Sequence, residues 1–143
     1  MRLPEQRLYD WFQRTLGAAA FIERVENRVK RDTPDLYIAE ATRHLRGWVE
    51  LKVLPEWPAR ATTPVRLSHW TTGQRYWANR HSLHGGQCWL VVWIEGEVFV
   101  FNAATAAMSM DWTRAEWREF GQVIEVRNAR AVDLLDALAD CVV

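Results

Sequence analysis

The sequence predicts an α/β (α+β) fold, a mixed central sheet of about five strands flanked by helices. Three observations predict it. Apolar residues recur at helical spacing at both ends of the chain, over Leu3–Leu16 and Ala131–Cys141. Between them stand short β-rich runs, two of which, Gln87–Ile94 and Glu97–Phe101, are joined by the tight Glu95-Gly96 turn. The resulting order α-β-β-β-α-β-β-α-α is that of a sheet with helices packed against it.

The first helix, Leu3–Leu16, opens on Pro4, which suits a first helical turn, and repeats Leu8, Phe12 and Leu16 on one face before Gly17 stops it. Phe21–Val29 reads as a first strand and Lys30–Pro34 as a turn. Asp35–Glu40 and Trp48–Val53 form a hairpin about the polar loop Ala41–Gly47. Leu54–Ser68, with Pro55, Pro58 and Pro64, is an ordered excursion. Trp70–Leu83 is the second helix, ended by Gly85-Gly86. Past the two later strands, Asp111 caps a short helix through Phe120, Gln122–Val126 is a small edge strand, and Ala131–Cys141 closes the chain.

With 143 residues, 49% hydrophobic and 25% charged, the chain is expected to form one domain, residues 1–143. No apolar run reaches the ~18 residues of a membrane span, and MRLPEQRLYDWF lacks the apolar core of a signal peptide. An intracellular protein is therefore expected. Two cysteines, Cys88 and Cys141, allow neither a disulfide framework nor a four-cysteine zinc site. The 18 basic and 18 acidic side chains cancel, but cations exceed carboxylates as far as Gly86 and the reverse holds beyond it. All cations except Lys30 and Lys52 are arginines, whose planar fork suits phosphate.

The chemistry concentrates in Thr33-Pro-Asp35 and Glu50-Leu-Lys52. Alternate strand residues share a face, so Glu50 and Lys52 point one way while Val49, Leu51 and Val53 point to the core. If the hairpin centres near residue 43, Asp35 falls roughly opposite Leu51, close to both Glu50 and Lys52. Two carboxylates beside an ammonium can hold Mg²⁺ or Mn²⁺ and hydrolyse a phosphate ester. The same residues can equally form a cross-strand ion pair on a solvated sheet face. Arg24, Arg28, Lys30 and Arg31 before the cluster, and Arg43, His44 and Arg46 in the hairpin loop, form either a phosphate-contacting rim beside it or solvated surface charge. Trp89 and Trp93 read as core, whereas Trp57 and Trp70 are the candidates for exposed base stacking. His69, His81 and His84 lack a carboxylate at ligand spacing, and Cys88 reads as an inert core thiol.

TPDLYI…GWVELKV resembles the signature of the PD-(D/E)XK nuclease superfamily. Arg24-Val-Glu-Asn27, Gln74-Arg-Tyr-Trp77 and Gly85-Gly-Gln-Cys-Trp-Leu-Val-Val92 extend the likeness towards small phage-type nucleases akin to VRR-NUC proteins and Holliday junction resolvases. It covers residues 5–101, leaving 111–143 as a C-terminal helical extension. The resemblance implies a restriction-endonuclease-like core and a divalent-metal-dependent endodeoxyribonuclease that uses Mg²⁺ (or Mn²⁺), with branched or otherwise structured DNA as the expected substrate. Asp35 and Glu50 would ligate the metal, with the Leu51 carbonyl as a third donor, and Lys52 would be the catalytic cation. Glu5, thirty residues before Asp35, resembles a first-helix glutamate that completes the site; alternatively it complements the helix dipole. Gln74 resembles a glutamine that supports the site or touches DNA, or is a plain polar helix residue. Asp32 stands where such proteins often carry glycine, adding negative charge near the phosphate's approach. The resemblance further implies a homodimer, with the C-terminal helix as a candidate interface, working in the cytoplasm (the host's, if phage-encoded), with any phage replication or packaging partner unidentified. The competing reading is a catalytically silent nuclease-derived module that binds DNA or serves in phage assembly.

Overall fold

In a computed structural model, the described residues are 3–25 and 31–142. Helix α1 (Leu3–Leu16) leads through a 3₁₀ turn, Gly17–Ala19, into strand β1 (Phe21–Arg24). Strands β2 (Leu36–Glu40) and β3 (Leu45–Leu54) follow, then helix α2 (Thr72–Leu83), then strands β4 (Gln87–Ile94) and β5 (Glu97–Asn102). Helices α3 (Ala103–Ser109) and α4 (Arg114–Phe120), strand β6 (Gln122–Glu125) and helix α5 (Ala131–Asp140) complete the chain.

The strands form one six-stranded mixed sheet in the order β1-β2-β3-β4-β5-β6. Only β3 and β4 are parallel, and α2 is the crossover that their parallel pairing requires. This is the predicted mixed sheet flanked by helices, with six strands where about five were expected. On one face, Leu8, Phe12 and Leu16 of α1 and Leu134 and Leu138 of α5 bury Val49, Leu51, Trp89 and Val91. The indole of Trp89 donates to the Leu138 carbonyl at 2.8 Å. On the other face, Trp57, Val65 and Trp70 of the proline-rich excursion join Ala78 of α2 and Trp117 of α4 over Leu90, Val92 and Phe99.

Several expectations change. The hairpin turn is Ala41–His44, shorter than the expected Ala41–Gly47, because His44 adopts φ 57 and closes it in four residues. β1 ends at Arg24, so of the expected Phe21–Val29 strand Val25 lies outside it, and Val29 is outside the described residues. Helix α4 is capped by Thr113, in a reciprocal pairing with Glu116, and not by Asp111. Helix α3 was not expected at all; its apolar repeat, Ala103, Ala106, Ala107 and then Met110, is carried mostly by small alanines, and Asn102 starts it by accepting from the Thr105 amide. Trp57 and Trp70, the expected exposed stackers, are 7% and 6% accessible because the excursion folds onto the sheet. Leu134, Leu135 and Leu138 of α5 are buried in the core, while its Val132 is exposed, as are Tyr76, Leu83 and Met108 on α2 and α3.

Candidate active site

The site begins with a close approach of two backbones. A Cβ on Gly47 would lie 2.1 Å from the Gln87 carbonyl oxygen, so glycine is what lets β3 and β4 pair in parallel from Gly47↔Gln87 onward. From there β3 alternates, with Val49 and Leu51 towards α1 and α5, and Trp48, Glu50 and Lys52 on the opposite face. That second face is covered by the excursion and helices α2 to α4. Glu50 and Lys52 are consequently 4% and 7% accessible, buried where alternation alone suggested a solvated working side.

Asp35 arrives from the start of β2. The register pairs Leu36 with Val49, so continuing the ladder places Asp35 across from Glu50, one residue from the expected partner Leu51. The difference matters, because residues directly opposite share a face and a one-residue slip inverts it. Two hydrogen bonds fix Asp35. Its carbonyl accepts from the Val25 amide at 2.8 Å, and its carboxylate Oδ2 accepts from the Leu51 amide at 2.9 Å. Buried Pro34 precedes it and carries no amide hydrogen that needs a partner.

Lys52 Nζ lies 3.3 Å from Glu50 Oε1 and donates to the His69 carbonyl at 2.9 Å. The ion-pair alternative is thus present between Glu50 and Lys52, while Asp35 joins through the Leu51 amide. One ammonium does not balance the carboxylates. Burial, then Asp35, push Glu50 up to about 8 against the opposing pull of Lys52. Burial also raises Asp35, although the Leu51 amide, Lys52 and Arg24 oppose it. Glu5, in the first turn of α1, adds its negative charge to both. The same field and burial hold the Cys88 thiol up at about 12, consistent with an inert core thiol.

Glu5 and Lys52 open onto a cavity of about 430 Å³, walled mainly by Pro4, Val53, Leu54, Pro55 and Leu67. The donor set suits a small hard cation: a buried and a half-buried carboxylate, short of positive charge among the described residues, with Leu51, whose amide Asp35 holds, between Glu50 and Lys52. Among the described residues no group of three or more His, Cys, Asp and Glu side chains is arranged to hold a metal. The fit is therefore to a Mg²⁺-like ion held by one or two carboxylates with water, not to an all-protein cage.

No family model and no curated protein matches the chain. Solved structures do. Among them is a Holliday junction resolvase, Hjc, of the archaeal hyperthermophile Archaeoglobus fulgidus. It is 16% identical with a TM-score of 0.48, covering 70% of this chain and 73% of that one. A likeness at that level assigns no residue of the site.

Of the expected phosphate rim, the described members divide, with Arg24 beside the cluster and Arg43 and Arg46 away from it. Arg24 is close to Asp35 but packs on α1, donating to Gln6 Oε1 at 3.1 Å and lying 4.8 Å over the Tyr9 ring. Arg31 is exposed ahead of Asp35, and Arg28 and Lys30 lie outside the described residues. Arg43 and Arg46 belong to the far end of the sheet, since Arg46 precedes Glu50 by four residues, about 13 Å along a strand. Arg43 there holds Asp136 at 3.0 Å, tying the hairpin to α5. Gln74 closes the N-terminal box of α2, its Oε1 accepting from the Thr71 amide at 3.0 Å. The carboxylate of Asp32 sits against Gly73, where a Cβ would be 2.5 Å from Oδ1, at the positive end of α2. Its charge is thereby turned on the helix. What sequence reasoning missed is the His69 carbonyl, which anchors Lys52; no side-chain pattern signals a backbone acceptor seventeen residues away.

Proposed function

We propose that this chain is a divalent-metal-dependent nuclease that hydrolyses phosphodiester bonds in DNA. The observation that carries the reading is the convergence of Asp35, Glu50 and Lys52 on one sheet face, with Glu50 buried and Asp35 half-buried, and with less positive than negative charge beside them among the described residues. Asp35 and Glu50 would hold Mg²⁺ or Mn²⁺ with the Leu51 carbonyl, while the expected further donor Glu5 would add negative charge beside the ion. A bound divalent ion supplies Lewis-acid polarisation of the phosphoryl oxygen and a bound water of lowered pKa. Lys52, clamped between Glu50 and the His69 carbonyl, presents a fixed ammonium where phosphoryl charge develops, a contribution of order 10²–10³ in rate for comparable single donors. The Asp35–Leu51 hydrogen bond keeps one carboxylate oxygen tied to β3 and so sets the other's direction.

The test is cleavage of four-way junction, flap, linear duplex and single-stranded DNA with Mg²⁺ or Mn²⁺. Asp35→Ala and Lys52→Ala should abolish cutting, and variants that cut like the parent sink the proposal. Symmetric cutting of a branched substrate needs two such sites, so a homodimer accompanies this reading, and its mass in solution tests it. A second reading, a silent DNA-binding or phage assembly module, is favoured by the net charge of zero, which supplies no overall attraction to a polyanionic substrate. Calorimetry separates the two: Mn²⁺ binding that depends on Asp35 supports the nuclease, and its absence supports the silent module. Among the described residues no helix is long and apolar enough to cross a membrane. Placement in the cytoplasm belongs to the proposal.

A further inference from the structure

The cavity beside Lys52 has walls of the wrong chemistry for a duplex backbone. A paired DNA backbone presents phosphates, which call for a basic surface. Here the lining is mainly Pro4, Val53, Leu54, Pro55 and Leu67, its charged members are Glu5 and an already paired Lys52, and Ser68 and His69 complete it. Glu5 repels phosphate, whereas apolar walls favour a flat, uncharged ring. At about 430 Å³ the space has the size of a small-molecule pocket. A second cavity of about 240 Å³ adjoins it over the end of β3, sharing Pro4, Val53, Leu54 and Pro55 and lined besides by Arg7, Trp93 and the exposed Glu95. There the exposed Arg7 stacks on Trp93, its Cζ 5.9 Å from the ring centroid, and sets a planar cation at the far end.

We infer that the first cavity takes the base of an unpaired nucleotide next to the scissile phosphate, with Arg7 meeting the following phosphate. The inference rests on the nuclease reading for the position of the scissile bond and narrows its substrate to DNA with an unstacked nucleotide there. Such a base enters without the cost of being pulled from a duplex, which a paired base must meet. Burying one base against such walls is expected to tighten binding about tenfold or more.

The experiment uses the full chain and two DNA duplexes, one fully paired and one with a single unpaired 2-aminopurine, titrated in EDTA by fluorescence. Expected are a change in 2-aminopurine emission and at least tenfold tighter binding of the unpaired DNA. Ser68→Trp fills the cavity mouth from an exposed position and should erase that preference with an unchanged melting temperature. Pro55→Trp, exposed on another wall, repeats the test independently. Equal binding of the two duplexes, no binding of either, or preference retained in both variants overturns the assignment. Cleavage with Mg²⁺ separates it from the nuclease reading. Equal cutting of both duplexes leaves the nuclease and removes the base pocket; selective binding without cutting leaves the base pocket and removes the nuclease.

Discussion

Replacing Glu50 by glutamine should make the metal-free protein more stable, although it removes one half of a buried ion pair. In the fold Glu50 titrates at about 8 against an ordinary 4.5, so at pH 7 holding its proton there costs about 3 kcal/mol relative to the unfolded chain, at 1.36 kcal/mol per pH unit between 4.5 and 7. Glutamine removes that cost but also gives up the ion pair with Lys52, whose ammonium keeps the His69 carbonyl. The net gain is expected at about 1–3 kcal/mol, a rise in melting temperature of roughly 3–10 °C for a chain of this size. The sign fixes the pH window. Because the folded value is raised, the folded state holds a proton that the unfolded state has released between 4.5 and 8. The stabilisation is therefore full below about 4.5 and lost as pH rises towards 8. Melts in EDTA at pH 5, 7 and 8 should show the parent falling behind Glu50→Gln as pH rises, with little difference at pH 5. Mn²⁺ should then raise the parent's melting temperature and leave the variant's unchanged. A Glu50→Gln protein that melts at or below the parent at pH 8 would refute the charge-deficit argument.

Asp35→Asn keeps an acceptor for the Leu51 amide and should melt within about 1 kcal/mol of the parent, while Asp35→Ala orphans that amide and costs about 1–3 kcal/mol; both should lose Asp35-dependent Mn²⁺ binding by calorimetry. Gly47→Ala forces a methyl against the Gln87 carbonyl and should destabilise by about 1–3 kcal/mol or more, read by chemical denaturation, with the β3–β4 register as the point of failure. Arg43→Ala, remote from the cluster and tied to Asp136, should leave the salt dependence of DNA binding unchanged; a slope reduced by about one would return Arg43 to the phosphate rim.

Much of the site was legible in the chain because strand geometry is local. Glycine at 47, apolar residues at 49, 51 and 53, and charge at 50 and 52 specify a strand with two unlike faces from side-chain alternation alone. The Glu95-Gly96 turn was legible for a similar reason: two consecutive positive φ values, 48 and 84, join the strands within two residues. The register of Asp35 was not. It depends on how tightly the β2–β3 turn closes, and His44 in the left-handed region shortened that turn beyond what its composition signalled. Helix α3 escaped because its buried face is made mostly of alanines, whose small side chains give only a faint periodic signal.

By itself the sequence determined which residues could do chemistry and which strands would carry them, since backbone alternation and turn formation need only neighbours. Tertiary structure decided how those residues are electrically set. Only when the excursion and α2 to α4 closed over β3 did Glu50 and Lys52 leave water, and only α1 brought Glu5 to them. Only the return of residues 67–69 gave Lys52 a carbonyl and the cluster its apolar cavity. Burial and charge coupling act through space between segments distant in the chain, so no local pattern could have carried them.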